Sequence, residues 1–206
     1  LFTTDGTQMS YAWNAGAYRC TQIKDRNGNY ITIAYDSIGR LDTVTDTLGR
    51  VLTINYDGTT GYPSTITQTW KSNNGEGTGT TTHTWATLSY TTKTVDTHFS
   101  GLAVVGPPDD TVVNVLDKIT RADGSSTKFE YNGYLQVKKV SAIAADSPSH
   151  VLNYVSTNLD SPSSSQTDCP RFTETRSKVE NFNLNTSNEP QEVVVTNSAP
   201  VSDSYG

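Results

Sequence analysis

The sequence predicts an all-β protein: consecutive antiparallel β-hairpins forming an open, spiralling β-sheet. Three observations carry that expectation. First, a phrase recurs in which a Gly-centred turn is followed, seven residues after the glycine, by an aromatic next to an Asx. It reads Asp5-Gly6 to Trp13-Asn14, Asn27-Gly28 to Tyr35-Asp36, Leu48-Gly49 to Tyr56-Asp57 and Asp123-Gly124 to Tyr131-Asn132. The first three aromatics stand 22 residues apart (Trp13 to Tyr35) and 21 apart (Tyr35 to Tyr56). A fixed period of this length marks a repeat architecture, in which each unit buries its apolar face only against its neighbours. Second, the stretches between turns alternate with a period of two, the mark of half-buried strands. Third, only 33% of the 206 residues are hydrophobic and the mean hydropathy is −0.51. That is lean for a compact globule and suits strands with one wet face.

Each unit reads as strand, tight turn, strand, tight turn. In Tyr30–Asp36, Ile31, Ile33 and Tyr35 alternate with Thr32, Ala34 and Asp36. Leu52, Ile54 and Tyr56 share a face in the next such stretch, and Phe129 and Tyr131 share one opposite Lys128 and Glu130. Between strands sit Asp36-Ser37-Ile38-Gly39 and Asp46-Thr47-Leu48-Gly49. Asp folds its carboxylate back onto the backbone, and Gly takes the positive φ that a hairpin loop requires. Lys24 to Tyr56 therefore reads as a β-meander. The expected organisation is β-hairpin repeats over 1–66, a degenerate repeat with a long polar loop and resumed strands over 67–116, a further repeat over 117–145, and an irregular Ser/Pro-rich segment ending in a strand over 146–206. Within these, Ser72–Gly79 reads as a long loop at a hairpin tip, and Thr81–Val95 as a resumed strand. Gly106–Asp110 reads as a rigid turn and Val112–Ile119 as a strand. Ser141–Asp146 is either a strand end or one helical turn. Val151–Val155 looks like a strand, Ser156–Arg171 irregular, and Glu192–Thr196 a strand.

The residues from Ile23 to Arg50 resemble the YD repeat of the RHS family. The pattern is Tyr35-Asp36, two residues, Gly39-Arg40-Leu41, then a second Gly49-Arg50. The match is strong over roughly Asp5 to Ile66 and good over Asp117 to Val140, degenerate between Thr67 and Leu116, and weak after Ala145. The resemblance implies a long spiral β-sheet that closes into a hollow shell in large members, and a bacterial protein that is secreted or displayed on the cell surface. Many members carry a toxin inside the shell, released by an autoproteolytic core region; no segment of this sequence matches that region. The repeat residues that carry the resemblance are Gly6, Trp13, Gly28, Tyr35, Asp36, Gly39, Arg40, Gly49, Arg50, Tyr56, Asp57, Gly124 and Tyr131.

Composition narrows the partners. Eleven Tyr suit a half-buried pleated surface with the hydroxyl reaching water. The net charge of −6 and a pI near 4.9 repel phosphate backbones, which argues against nucleic acid. No apolar run approaches the ~20 residues that span a bilayer as a helix, so membrane insertion is not expected. The chain opens without an initiator Met and reads as a mature or excised polypeptide. Its two cysteines, Cys20 and Cys169, either pair or are unrelated. A bond between them would close a loop of about 149 residues, worth roughly 4–5 kcal/mol in the chain-entropy account. Neither has a CxxC motif or a nearby His for metal binding.

Catalytic chemistry finds little support. Asp5, Asp25, Asp36, Asp46, Asp57 and Asp123 all fall in repeat turns, where an Asx-turn hydrogen bond explains them better than acid–base work. His83, His98 and His150 stand isolated, and Gly-x-Ser-x-Gly is absent. Asp25-Arg26-Asn27-Gly28-Asn29 suggests a Ca²⁺ loop but lacks the acidic ligands and closing Glu of an EF-hand, and reads as a hairpin turn. Asn185-Thr186-Ser187 is a weak glycosylation sequon. Arg40 and Arg50 each follow a turn Gly and are expected to pair with a turn Asp along the neighbouring strand; the alternative is an Arg and Tyr ladder that grips a glycan, with Trp13, Trp70 and Trp85 stacking on sugar. No cofactor or metal is expected. The principal expectation is a non-enzymatic extracellular structural protein, since an open sheet leaves unpaired backbone at its margins that templates another chain. Copies of the chain then pair strand to strand in a fibre, or the same edges continue into the remainder of a larger β-shell. The alternative is a carbohydrate-binding cell-surface module.

Overall fold

A computed structural model describes residues 1–73, 78–99, 101, 105–158, 174–179 and 191–196. It is all-β, with no helix among the described residues. The strands are β1 (Gln8–Asn14), β2 (Ala17–Lys24), β3 (Tyr30–Tyr35), β4 (Leu41–Asp46), β5 (Val51–Tyr56), β6 (Pro63–Asn73), β7 (Thr78–Thr94), β8 (Val112–Arg121), β9 (Ser126–Tyr131), β10 (Val137–Ile143), β11 (Val151–Thr157), β12 (Glu174–Val179) and β13 (Gln191–Thr196). Strand order in the sheet is chain order, so the sheet is an open meander with two ends and does not close into a barrel.

The chain divides into two compact units, Leu1–Thr87 and Leu88–Gly206, and β7 passes from one to the other. In the first unit β1 through β7 pair in succession, each antiparallel to the next. In the second, β8 to β13 do the same. In the first unit, adjacent pairing of consecutive strands keeps the connections short, the natural outcome where each turn closes a hairpin.

The core is sparse. Among the described residues only Val95 and Ile143 are buried apolar side chains, joined by the buried polar Ser126, Asn132 and Ser141, and no side chain is fully enclosed. The low hydropathy is thereby accounted for. Stability in such a sheet rests on ladder hydrogen bonds, cross-strand pairs and turn chemistry more than on a packed interior.

Several local readings change. Ser72–Gly79 is not one long loop: β6 and β7 pair through Ser72↔Gly79 and Asn73↔Thr78, leaving only 74–77 between them, which lies outside the described residues. Its Gly, Ser and Asn residues are weak strand formers individually, but the hairpin zips from the Thr-rich stems on either side. Ser141–Asp146 is no helical turn. Ser141, Ala142 and Ile143 finish β10 and pair on both sides, with β9 and β11, so two ladders outweigh the helix propensity of alanine. The final segment holds β11 and β12 before β13; most of the irregular stretch expected over Ser156–Arg171 lies outside the described residues, although Ser156 and Thr157 belong to β11.

Hairpin turns share one frame. Asp36 N–H donates to Arg40 O (2.9 Å) and Gly39 N–H to Asp36 O (3.0 Å), with φ of 84° at Gly39. The same pair of bonds closes 25–29, 46–50, 121–125 and 132–136. In the last, the left-handed position is Leu135, at φ 64°. A Cβ there carries a conformational cost that glycine avoids. Leu135→Gly is therefore expected to stabilise the second unit by about 1 kcal/mol. Gly39→Ala should do the opposite in the first unit, since its Cβ would lie 2.9 Å from Ala15 Cβ in addition to the adverse φ. Urea unfolding of the full chain measures both shifts.

Candidate functional site

The most organised chemistry in the molecule is the repeat junction, which begins at the turn. The Asp36 carboxylate accepts from Ile38 N–H (3.0 Å) and Arg40 N–H (2.8 Å) through Oδ1, and from Arg40 Nε (2.7 Å) through Oδ2. Asp46 repeats the set with Leu48 N–H, Arg50 N–H and Arg50 Nε. Asp25 repeats it with Asn27, Asn29 and the Asn29 side-chain amide, so the residues that mimicked a Ca²⁺ loop have their carboxylate saturated by their own turn. Asn132 reaches the same geometry without charge: Oδ1 accepts from Tyr134 and Gln136 N–H, and Nδ2 donates to Gln136 Oε1. Asp57 holds a turn one residue longer, closing on Tyr62. Asp5 and Asp123 sit at the third position of their turns and bind Thr7 and Ser125.

Above these turns the hairpins open. The β2–β3 ladder stops at Gln22↔Thr32, the β4–β5 ladder at Thr43↔Thr53 and the β8–β9 ladder at Lys118↔Lys128. Past each end stands the repeat tyrosine. Tyr35 donates its hydroxyl to Cys20 O (2.9 Å), Tyr56 to Leu41 O (2.8 Å) and Tyr131 to Leu116 O (2.7 Å). In all three the acceptor lies fifteen residues earlier. The ring thus spans the splayed strands, and its hydroxyl satisfies a carbonyl beyond the ladder's end. The water-facing hydroxyl expected from the tyrosine content is corrected at these three positions. Burial, with the nearby Asp117 carboxylate adding to it, raises the pKa of the Tyr131 phenol, which stays neutral and keeps donating.

Cations then tie one repeat to the next. The Arg40 guanidinium lies over the Tyr56 ring at 4.1 Å and donates to Gly61 O (3.1 Å) in the following turn. Arg19 takes the corresponding place over Tyr35 at 5.5 Å, packed against Gly39. Lys139 covers Tyr154 at 4.7 Å in the second unit. Arg50 pairs with Asp46 but has no ring beneath it among the described residues, and its side chain is 58% exposed. Arg19, Thr47 and Leu135 were not singled out from sequence. Arg19 stands 21 residues before Arg40, a spacing that could have revealed it. Thr47 accepts from Tyr30 N–H (2.8 Å) and donates to Tyr30 O (2.9 Å), which no local pattern announces.

Trp13 differs from its counterparts: it lies 64% exposed on β1, in edge-to-face contact with Tyr18 (centroids 5.2 Å apart). Trp70 and Trp85 flank His83, with centroid distances of 6.2 and 4.5 Å, and Trp85 Nε1 donates to Gln68 Oε1 (2.9 Å). Cys20 carries a free, half-buried thiol, while Cys169 and the Asn185 sequon lie outside the described residues.

Open grooves lie in both units. One of about 560 Å³ in the first unit is lined by Asp25, Asn29, Tyr30, Thr47, Leu48 and Arg50. The other, about 570 Å³ in the second, is lined by Lys93, Asp96, His98, Asp110, Asn132 and Lys138. His98 Nδ1 meets the Asp96 carboxylate, and His150 Nδ1 meets Asp146 Oδ1 at 2.8 Å. Among the described residues no group of three His, Cys, Asp or Glu side chains is placed to hold a metal ion, and no helix is long and apolar enough to cross a membrane. In comparisons with known proteins, the chain matches no family model and no curated protein.

Two predictions follow from the junction. Replacing Tyr35, Tyr56 or Tyr131 by Phe leaves a carbonyl unsatisfied and should cost about 1–3 kcal/mol each, whereas Tyr18→Phe, at a ring 73% exposed, should be near neutral in the same urea titration. The second concerns acid. Asp46 is held below the usual carboxylate range by the Arg50 N–H and guanidinium, and Asp25 by the Asn29 amide. At Asp36 partial desolvation opposes the shift but is outweighed by the Arg40 N–H and guanidinium. A folded-state pKa below the unfolded value of about 3.9 contributes stability above that value, lost as pH falls through the folded pKa. Thermal stability should therefore fall below about pH 4, and Asp46→Asn should show a shallower acid limb.

Proposed function

We propose that the chain is a non-enzymatic structural repeat protein of the RHS, or YD-repeat, kind, secreted or displayed on a bacterial surface. It acts through its sheet edges, either by assembling copies into a surface fibre or by forming a segment of a larger β-shell. The observation that carries this reading is the tyrosine hydroxyl bond to a carbonyl fifteen residues earlier, made at Tyr35, Tyr56 and Tyr131. A junction built this way is complete only when a neighbouring strand stands beside it. Much of the repeat chemistry goes into such junctions: the turn carboxylates bind their own turns, and Arg19 and Arg40 lie over repeat rings. A unit that is completed by its neighbour is suited to continuing an array.

A second reading is supported by Trp70 and Trp85, 39% and 49% exposed beside His83. Half-exposed indoles around a hydrogen-bonding imidazole suit stacking against a sugar ring, so a carbohydrate-binding surface module is the alternative.

Analytical ultracentrifugation and negative-stain electron microscopy separate the two. Structural assembly predicts concentration-dependent growth into fibres of uniform width, insensitive to Trp70→Ala. The carbohydrate reading predicts a monomer whose tryptophan fluorescence changes with soluble polysaccharide and loses that response in Trp70→Ala. A monomer at all concentrations and salt conditions would overturn fibre assembly.

A further inference from the structure

Six positions place an Asp or Asn directly before a glycine: Asp5, Asn27, Asp57, Asn74, Asp123 and Asn132. Such a pair is reactive because glycine has no side chain to shield its amide nitrogen, which can then reach the γ-carbon of the residue before it. Asn74 lies outside the described residues. The fold sorts the other five.

Three are carboxylates held by their own turns. Asp5 accepts from the Thr3 hydroxyl and Thr7 N–H, Asp57 from Thr59 and Thr60 N–H, and Asp123 from the Ser125 hydroxyl and N–H. These bonds, led by the Thr3 hydroxyl at Asp5, the Thr60 N–H at Asp57 and the Ser125 hydroxyl at Asp123, hold each carboxyl below its usual range. All three are therefore ionised at neutral pH, and a carboxylate resists nucleophilic attack. Asn132 is neutral but only 5% exposed. Both ends of its amide are engaged, Oδ1 by Tyr134 and Gln136 N–H and Nδ2 by Gln136 Oε1. Asn27 is the exception. It is exposed, and among the described residues its side-chain amide makes no hydrogen bond; only its backbone N–H is bound, to Asp25 Oδ1 (2.8 Å).

The glycine beside it is also loosely held. Gly28 N–H donates to Asp25 O at 3.2 Å, against 3.0 Å for Gly39, 2.9 Å for Gly49 and 3.0 Å for Gly124 in the equivalent turns. A Cβ on Gly28 would meet no atom within 4 Å beyond its chain neighbours, so the turn has open space around it.

We propose that Asn27 is a site of spontaneous modification, deamidating through its own backbone. Hydroxide removes the Gly28 amide proton, and the nitrogen attacks Asn27 Cγ. The bond from Gly28 N to Cγ forms, the Cγ–Nδ2 bond breaks, and Nδ2 takes up a proton and leaves as ammonia. Water then opens the five-membered imide at either carbonyl, leaving aspartate or isoaspartate at position 27. Water and hydroxide are the only co-reactants. The two products have different consequences. Aspartate fits, because Asp123 holds the same place in the turn 121–125. Isoaspartate routes the chain through its β-carbon and adds a methylene to the backbone. The frame in which Asp25 N–H meets Asn29 O (2.8 Å) and Gly28 N–H meets Asp25 O then loses its register. That frame closes the β2–β3 ladder, which is only Gln22↔Thr32, Ile23↔Ile31 and Lys24↔Tyr30.

The test is a timed incubation of the full chain at neutral and mildly alkaline pH, followed by tryptic mapping and isoaspartyl methyltransferase labelling. Cleavage after Arg26 and Arg40 isolates Asn27, and cleavage after Lys128 and Lys138 isolates Asn132. In the folded chain peptide 27–40 should gain the acid products at least about tenfold faster than peptide 129–138, since Asn132 must first open locally. The rate should rise with pH, and isoaspartate should appear beside aspartate. Urea should bring the two rates together, because glycine follows both asparagines. Asn27→Leu, which copies Leu48 in the turn 46–50, should abolish conversion in peptide 27–40. The proposal is overturned if Asn27 converts no faster than Asn132 in the folded chain, if the difference persists in urea, or if aspartate forms without isoaspartate. The isoaspartate form, separated by chromatography, should unfold at lower urea concentration than Asn27→Asp; equal midpoints would overturn the loosening of the ladder.

Discussion

A phenol hydroxyl donating to a main-chain carbonyl fifteen residues upstream is the interaction on which the rest of this structure leans. Among the described residues the sheet has little packed interior to hold its strands in place, and a hairpin that splays beyond its first few pairs exposes carbonyls that need a partner. The repeat tyrosine meets both needs. Its ring fills the opening and its hydroxyl restores the missing bond. The splay itself gives the ring a place to lie, and the ring gives the cation of the preceding repeat a surface to cover, as Arg40 does over Tyr56. Turn, strand and junction are thus linked through one side chain.

The turns show where an acidic chain places much of its charge. Asp25, Asp36 and Asp46 each accept bonds from two backbone amides and one side chain within five residues. A carboxylate so engaged has little capacity left for substrate or metal. Asn132 and Gln136 reproduce the geometry with neutral groups, so the geometry of acceptors is what the turn demands and the charge is incidental to it. Where the turn departs from the rule, as at Leu135, the frame of hydrogen bonds is strong enough to hold a branched residue in a left-handed conformation.

Much of this was legible in advance at short range. The period of the Gly-to-aromatic phrase placed β3, β4, β5 and β9, because alternation and turn residues act within a few positions of each other. Legibility failed where distant partners decided the outcome. For Ala142 and Ile143 the sequence left a strand end and a helical turn both open, and the strand end holds because two neighbouring strands pair with them. Ser72 and Asn73 are drawn into β6 by the zipper below them. At the junction, the tyrosines were identified as repeat residues, but their hydroxyls were assigned to water; the acceptor is a backbone carbonyl, which every residue carries and no side-chain pattern can flag. Thr47 was invisible for the same reason, since its partner is a backbone lying across the sheet, and Arg19 was marked only by its 21-residue spacing from Arg40.

Local chemistry alone was enough to establish an all-β chain of Asx-closed, glycine-bearing hairpins recurring at a period near 21 residues, since both the turn carboxylate and the left-handed glycine act on atoms within five residues of themselves. Folding in three dimensions settled which carbonyl each tyrosine reaches, which arginine covers which ring, and that Trp13 is largely exposed while its counterparts are half-buried. Those outcomes depend on strand register, and register is set jointly by two strands and the turn between them, so neither strand contains it on its own.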